Sequence, residues 1–145
     1  MFKILSIDPG KYKCGLVVAE ISEKKVYQAI IIQSEFLEEY VRNLNSDEEV
    51  SKIIIGNGTN SKGVLKKLDF FKKELITFEE KNTTYRAKER YFELFPISGF
   101  KFFIPREVFI LNKNLDAISA LIILEDYCKM KFTLNQNIDL KTWLK

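Results

Sequence analysis

The sequence predicts an α/β fold: a five-stranded mixed sheet, with a three-strand antiparallel meander and two parallel strands, flanked by helices. Three observations predict it. The first thirty or so residues hold three strand-like runs with short connections; two later apolar runs each lead into an amphipathic helical stretch; and a long apolar helix follows near the end.

The first run, Phe2 to Ile7, feeds into Asp8-Pro9-Gly10, and Gly15 to Ile21 and Val26 to Ile32 complete the meander. Asp8 therefore ends a buried strand, where its side chain can face a cleft. Ser34 is a candidate N-cap, with Glu35 in the first turn and Leu37, Val41 and Leu44 on one helical stripe beside Phe36 and Tyr40. Lys52 to Ile55 forms the fourth strand, which Gly56-Asn57-Gly58-Thr59 ends sharply. Val64, Leu68 and Phe71 line the next helix, with lysines on its other face.

Leu75 to Phe78 is the fifth strand and leads into Glu79-Glu80. Thr83 or Thr84 can cap a helix whose buried stripe is Ala87, Tyr91, Leu94 and Phe95. Residues 96–111, broken by Pro96, Gly99 and Pro105, read as an irregular connection packed on the core. Asn114 is the expected N-cap of a last helix from Leu115 to about Met130, with Ala117, Leu121, Leu124 and Cys128 on one stripe. Residues 132–145 read as a tail that Trp143 can anchor.

At 145 residues the chain fits a single domain able to bury a core unaided. No segment approaches the roughly 20 apolar residues of a membrane span, and no secretory signal opens the chain, so a soluble cytoplasmic protein without a membrane partner is expected. Cys14 and Cys128 lack metal-ligand spacing. Histidine is absent, which excludes Ser-His and Cys-His catalysis and His-based zinc sites. Carboxylates remain as the acid-base or metal-binding groups. The net charge of +3 is small, but lysines and arginines cluster at Lys62 to Lys73 and Lys81 to Arg90, which permits a basic face.

With strands one, four and five as neighbours, Asp8, the Glu79-Glu80 pair and Asp116 in the first turn of the last helix can meet at one edge. Three such carboxylates repel unless a cation lies between them, and Mg²⁺ or Mn²⁺ prefers hard oxygen ligands. Two-metal phosphodiester hydrolysis uses this chemistry without histidine. The Gly56–Gly58 turn can present backbone N–H groups to a phosphate.

Asp8-Pro9-Gly10-Lys11-Tyr12-Lys13-Cys14-Gly15 resembles the D-x-G-x-x-R-x-G opening of the YqgF (RuvX) family, Holliday-junction-resolvase-like proteins with an RNase H-like fold. Ile55 to Thr59 resembles the glycine turn after that fold's fourth strand, closely the version in the YqgF-like domain of the transcription factor Tex. Glu79-Glu80-Lys81-Asn82-Thr83-Thr84 resembles the family's D-E-R-x-T-T, and Leu115 to Ala120 its final D-A/S-x-x-A helix. The resemblance implies Asp8, Glu80 and Asp116 as catalytic, metal-binding acids for Mg²⁺ or Mn²⁺. It also implies Gly10, Lys11, Lys13, Gly56, Asn57, Gly58, Thr59, Lys81 and Arg86 as nucleic-acid contacts.

The implied activity is endonucleolytic, on precursor ribosomal RNA or branched DNA, by a monomer or homodimer. Lys13 and Lys81 stand where the family has arginines; lysine keeps the charge and loses the planar bidentate grip on phosphate. The last helix lacks a second acid near Asp116, unlike RuvC-type resolvases. A non-catalytic nucleic-acid-binding module is the alternative. A protein-interaction domain using the aromatic stretch Phe92 to Phe109 is a third possibility.

Overall fold

The computed structural model describes residues 2–47, 50–110, 115–136 and 138, and the side chains of all of these but 46, 47, 109 and 110. Strands β1 (Lys3–Pro9), β2 (Lys13–Glu20) and β3 (Lys25–Gln33) form the antiparallel meander. A 3-10 turn, Ser34–Phe36, leads into helix α1 (Leu37–Asp47). Strand β4 (Val50–Gly56), helix α2 (Ser61–Lys67), strand β5 (Glu74–Phe78) and helix α3 (Thr83–Leu94) follow, then α4 (Arg106–Ile110), α5 (Asp116–Cys128) and a two-residue strand β6 (Thr133–Leu134).

The sheet has six strands in the order β5-β4-β1-β2-β3-β6, with β4 parallel to β1 and β5, and β6 parallel to β3. The sixth strand corrects the expected five. It is too short for a periodic signal in the sequence; buried Phe132 precedes it, and Thr133 N–H donates to Lys24 O and Asn135 N–H to Val26 O. It falls within residues 132–145, whereas Trp143 lies outside the described residues.

Strand alternation divides the core in two. Ile4, Val17, Ala19 and Ile54 pack with Ala87 and Tyr91 of α3 and with α5. Leu5, Ile7, Leu16, Val18, Ile53 and Ile55 pack with Leu37, Val41 and Leu44 of α1 and with Val64 and Leu68. Every residue of α5 from Ala117 to Glu125 is buried. A helix apolar all round belongs between two layers, and α5 lies between the sheet and α3.

Three local expectations are corrected. Ser34 does not cap α1: Gln33 holds the cap position of the 3-10 turn, and the Ser34 hydroxyl donates instead to Gly10 O at 3.0 Å. Neither Thr83 nor Thr84 caps α3, because Asn82, in left-handed backbone at φ 54°, holds that place. Residues 96–110 do not simply pack on the core. They contain a 3-10 turn, Gly99–Phe103, and α4, and the rings of Phe100, Phe102 and Phe103 are exposed. Asn114 lies outside the described residues.

Candidate active site

Period-two alternation puts Ile4, Ser6 and Asp8 of β1 on the face that carries α5. Buried Ser6 donates its hydroxyl to Ala120 O at 2.7 Å, tying β1 to the middle of that helix. Asp8 pairs with Gly15 across the β1–β2 ladder. A Cβ on Gly15 would lie 1.9 Å from Asp116 O, so only glycine lets the first turn of α5 rest on β2. This brings Asp116 beside Asp8.

Glu80 arrives from the other side. Phe78 pairs with Gly56 at the end of the β4–β5 ladder, and two residues later Glu80 turns toward Gly56 and Gly58. A Cβ on Gly56 would meet Glu80 Oε2 at 3.1 Å and Ile123 Cδ1 at 2.7 Å; a Cβ on Gly58 would meet Glu80 Oε1 at 3.4 Å. The glycines therefore clear a berth for the carboxylate. Thr83, buried in the first turn of α3, donates its hydroxyl to Glu80 Oε2 at 3.1 Å. Glu79, one residue earlier, is exposed.

Asp8 feels both of the other acids. Burial first, then the charges of Glu80 and Asp116, push the Asp8 carboxyl from 3.8 up to about 7. Burial also raises Glu80, against the opposing hydrogen bond from Thr83. Lys13, on the same face of β2, places its ammonium 3.3 Å from Asp116 Oδ2. Among the described residues no group of three or more Asp, Glu or Cys side chains is already arranged to hold a metal ion. The donor set nevertheless suits a hard divalent cation: three carboxylates, one of them kept partly protonated near neutrality by burial and then by its two acidic neighbours.

The β1–β2 turn is held from two directions. Gly10 O accepts from Ser34 Oγ and from Asn60 Nδ2 at 3.1 Å, and a Cβ on Gly10 would clash with Lys13 O at 2.1 Å. Lys11 lies against the ring of exposed Tyr12. Asn57 N–H donates to Phe78 O, extending the ladder, so it is not turned to a phosphate. Thr59 and Lys81 are exposed. Arg86 makes a two-pronged pair with Asp126, at 2.6 and 2.7 Å, near the far end of α5.

Sequence reasoning missed Gly15, Ser6 and Asn60 as parts of this site. The opening motif contained Gly15, but its use depends on a helix more than a hundred residues away. Ser6 was legible only as a polar residue inside an apolar run.

No family model matches the chain, and no curated protein matches it. Among solved structures it resembles RuvC of T. thermophilus in complex with a Holliday junction substrate, at 11% identity and a TM-score of 0.52, over 89% of this chain and 96% of that one. The chain thus has the RuvC-like RNase H fold, with a mixed sheet flanked by helices.

Proposed function

We propose that the protein is a metal-dependent endonuclease of the YqgF (RuvX) type, hydrolysing phosphodiester bonds in branched DNA or structured RNA in the cytoplasm, as a monomer or homodimer of one RNase H-like domain. The observation that carries this is the meeting of Asp8, Glu80 and Asp116, from the ends of β1 and β5 and the start of α5, with Asp8 raised to about 7 by burial and by the other two. A fold shared with a junction-bound RuvC makes four-way junction DNA the first substrate to test, with precursor ribosomal RNA second.

Asp8, Glu80 and Asp116 would hold Mg²⁺ or Mn²⁺, which when bound supplies Lewis-acid activation of water and stabilisation of the leaving oxygen. The chain's own groups do the rest. Thr83 fixes the Glu80 carboxylate, and Gly56 and Gly58 leave it room. Lys13 leaves Asp116 for a substrate phosphate, since a flexible ammonium exchanges one anionic partner for another at small cost. Lys11 and Lys81 add positive charge at the rim.

The test is cleavage of labelled four-way junctions, single-stranded RNA and a precursor-rRNA fragment with Mg²⁺, Mn²⁺ or chelator. Metal-dependent cleavage that falls at least a hundredfold in Asp8→Asn is expected, with binding retained. Equal cleavage by the mutant overturns the assignment of Asp8. A second reading, a binding module without turnover, is favoured by the Lys13–Asp116 pair, which sets a side-chain cation against one of the acids. Folded protein that binds these substrates in a salt-dependent, metal-independent way and cuts none of them would establish it.

A further inference from the structure

Around the β1–β2 turn lies a cleft of about 560 Å³ that includes Lys11, Tyr12, Lys13, Ser34, Glu35 and Lys67. Lys13 belongs to both places: it lines the cleft and reaches Asp116. Lys67, the last residue of α2, donates its ammonium to Ser34 O and so stands at the cleft wall. Ser34 in turn holds the β1–β2 turn through Gly10 O, and its N–H donates to Tyr12 O at 2.8 Å. Three lysines from two parts of the chain, with Glu35 as the one acid among the lining residues, converge around a braced turn. Tyr12 is 76% exposed although its backbone is fixed on both sides.

Exposed aromatic rings next to lysines suit one ligand chemistry in particular. Phosphates take the ammonium groups, and an unstacked base takes the ring face, an arrangement that tolerates any base sequence. Duplex DNA offers phosphates but no free base face. A strand leaving a branch point, or a single strand, offers both.

We propose that this cleft seats the strand flanking the scissile phosphate, with backbone phosphates on Lys67 and Lys11 and an unpaired base on Tyr12. The inference rests on the nucleic-acid reading above and gives it a substrate class: polynucleotide with unstacked bases beside the cut. Lys13 links the cleft to the carboxylates, so a strand entering the cleft draws the ammonium from Asp116.

The experiment is fluorescence anisotropy in EDTA with a labelled four-way junction, a single strand and a plain duplex, between 50 and 200 mM salt. Tyr12→Ala should weaken junction and single-strand binding roughly fivefold or more, with duplex binding changed less than twofold and the salt slope unchanged. Tyr12→Phe should restore affinity, since it keeps the ring. Lys67→Gln keeps a donor for Ser34 O and removes the charge; its slope of log K against log salt should fall by about 0.7–0.9. Thermal unfolding of each variant checks that the fold is intact.

Folded Tyr12→Ala and Lys67→Gln proteins that bind all three ligands as the parent does would overturn the cleft assignment. So would a parent that binds none of them. Parallel cleavage assays in Mg²⁺ separate the two levels. Metal-dependent cleavage by the parent with unaltered variant binding refutes the cleft and leaves the nuclease standing. Variant-sensitive binding without any cleavage keeps the cleft and refutes the nuclease.

Discussion

Asp8 is where electrostatics and fold are most directly opposed. Its carboxyl titrates near 3.8 in the unfolded chain and near 7 in the folded one, so between those values the folded state holds the extra proton. The contribution of Asp8 to stability is therefore greatest below about pH 4, is lost as pH rises toward 7, and stays lost above it. A gap of about three pH units corresponds to an upper bound of about 4 kcal/mol. Asp8→Asn should accordingly raise Tm by several degrees at pH 8 in EDTA and leave it unchanged at pH 4, read by calorimetry across pH. Lys13 gives a complementary prediction. Its ammonium holds Asp116 in competition with any added cation, so Lys13→Met should bind Mn²⁺ at least severalfold more tightly than the parent in titration calorimetry.

At the scale of elements, the position of α5 decides whether a site exists. Its start rests on Gly15 and its middle is bonded to Ser6. Gly15→Ala forces the helix away from β2; a loss of about 3 kcal/mol is expected in urea unfolding, at the upper end of ordinary overpacking. Its far end is held differently. Buried Arg90 of α3 donates to Glu125 at 2.7 and 3.1 Å and to Phe132 O at 2.8 Å, while Phe132 N–H donates to Glu125 Oε1. Arg90→Ala strands a buried carboxylate and should cost about 3–5 kcal/mol. Amide exchange should then show β6 losing protection before the central strands do, because Phe132 anchors it.

Over the whole molecule, two cores on opposite faces of one sheet hold three chain segments far apart in sequence at a common edge. A cation bound there stabilises only the folded state, so Mn²⁺ should raise the Tm of the parent in a concentration-dependent way and leave that of Asp8→Asn nearly unchanged. Among the described residues no helix is long and apolar enough to cross a membrane. Three rings, those of Phe100, Phe102 and Phe103, stand exposed after α3, where the sequence led one to expect burial. Apolar character alone did not place them, because burial depends on whether a neighbouring surface is within reach.

Much of this was legible in the residues themselves. Alternation and helical stripes marked the five longer strands and the helices α1, α2, α3 and α5, since each signal lies within one element. They also placed Asp8 at a strand end and Asp116 in a first helical turn. Whether Glu79 or Glu80 faces the other acids was not legible, because a single residue of register at the end of β5 turns a side chain to the opposite side of the sheet. The Lys13–Asp116 pair, the clamp of Ser34 and Asn60 on Gly10, and the place of Lys67 beside the turn join residues from 24 to about 100 positions apart. Local pattern determined the elements and their order; the crossing of α5 over Gly15 decided which charges meet, because electrostatic and steric contact depend on distance in space and not along the chain.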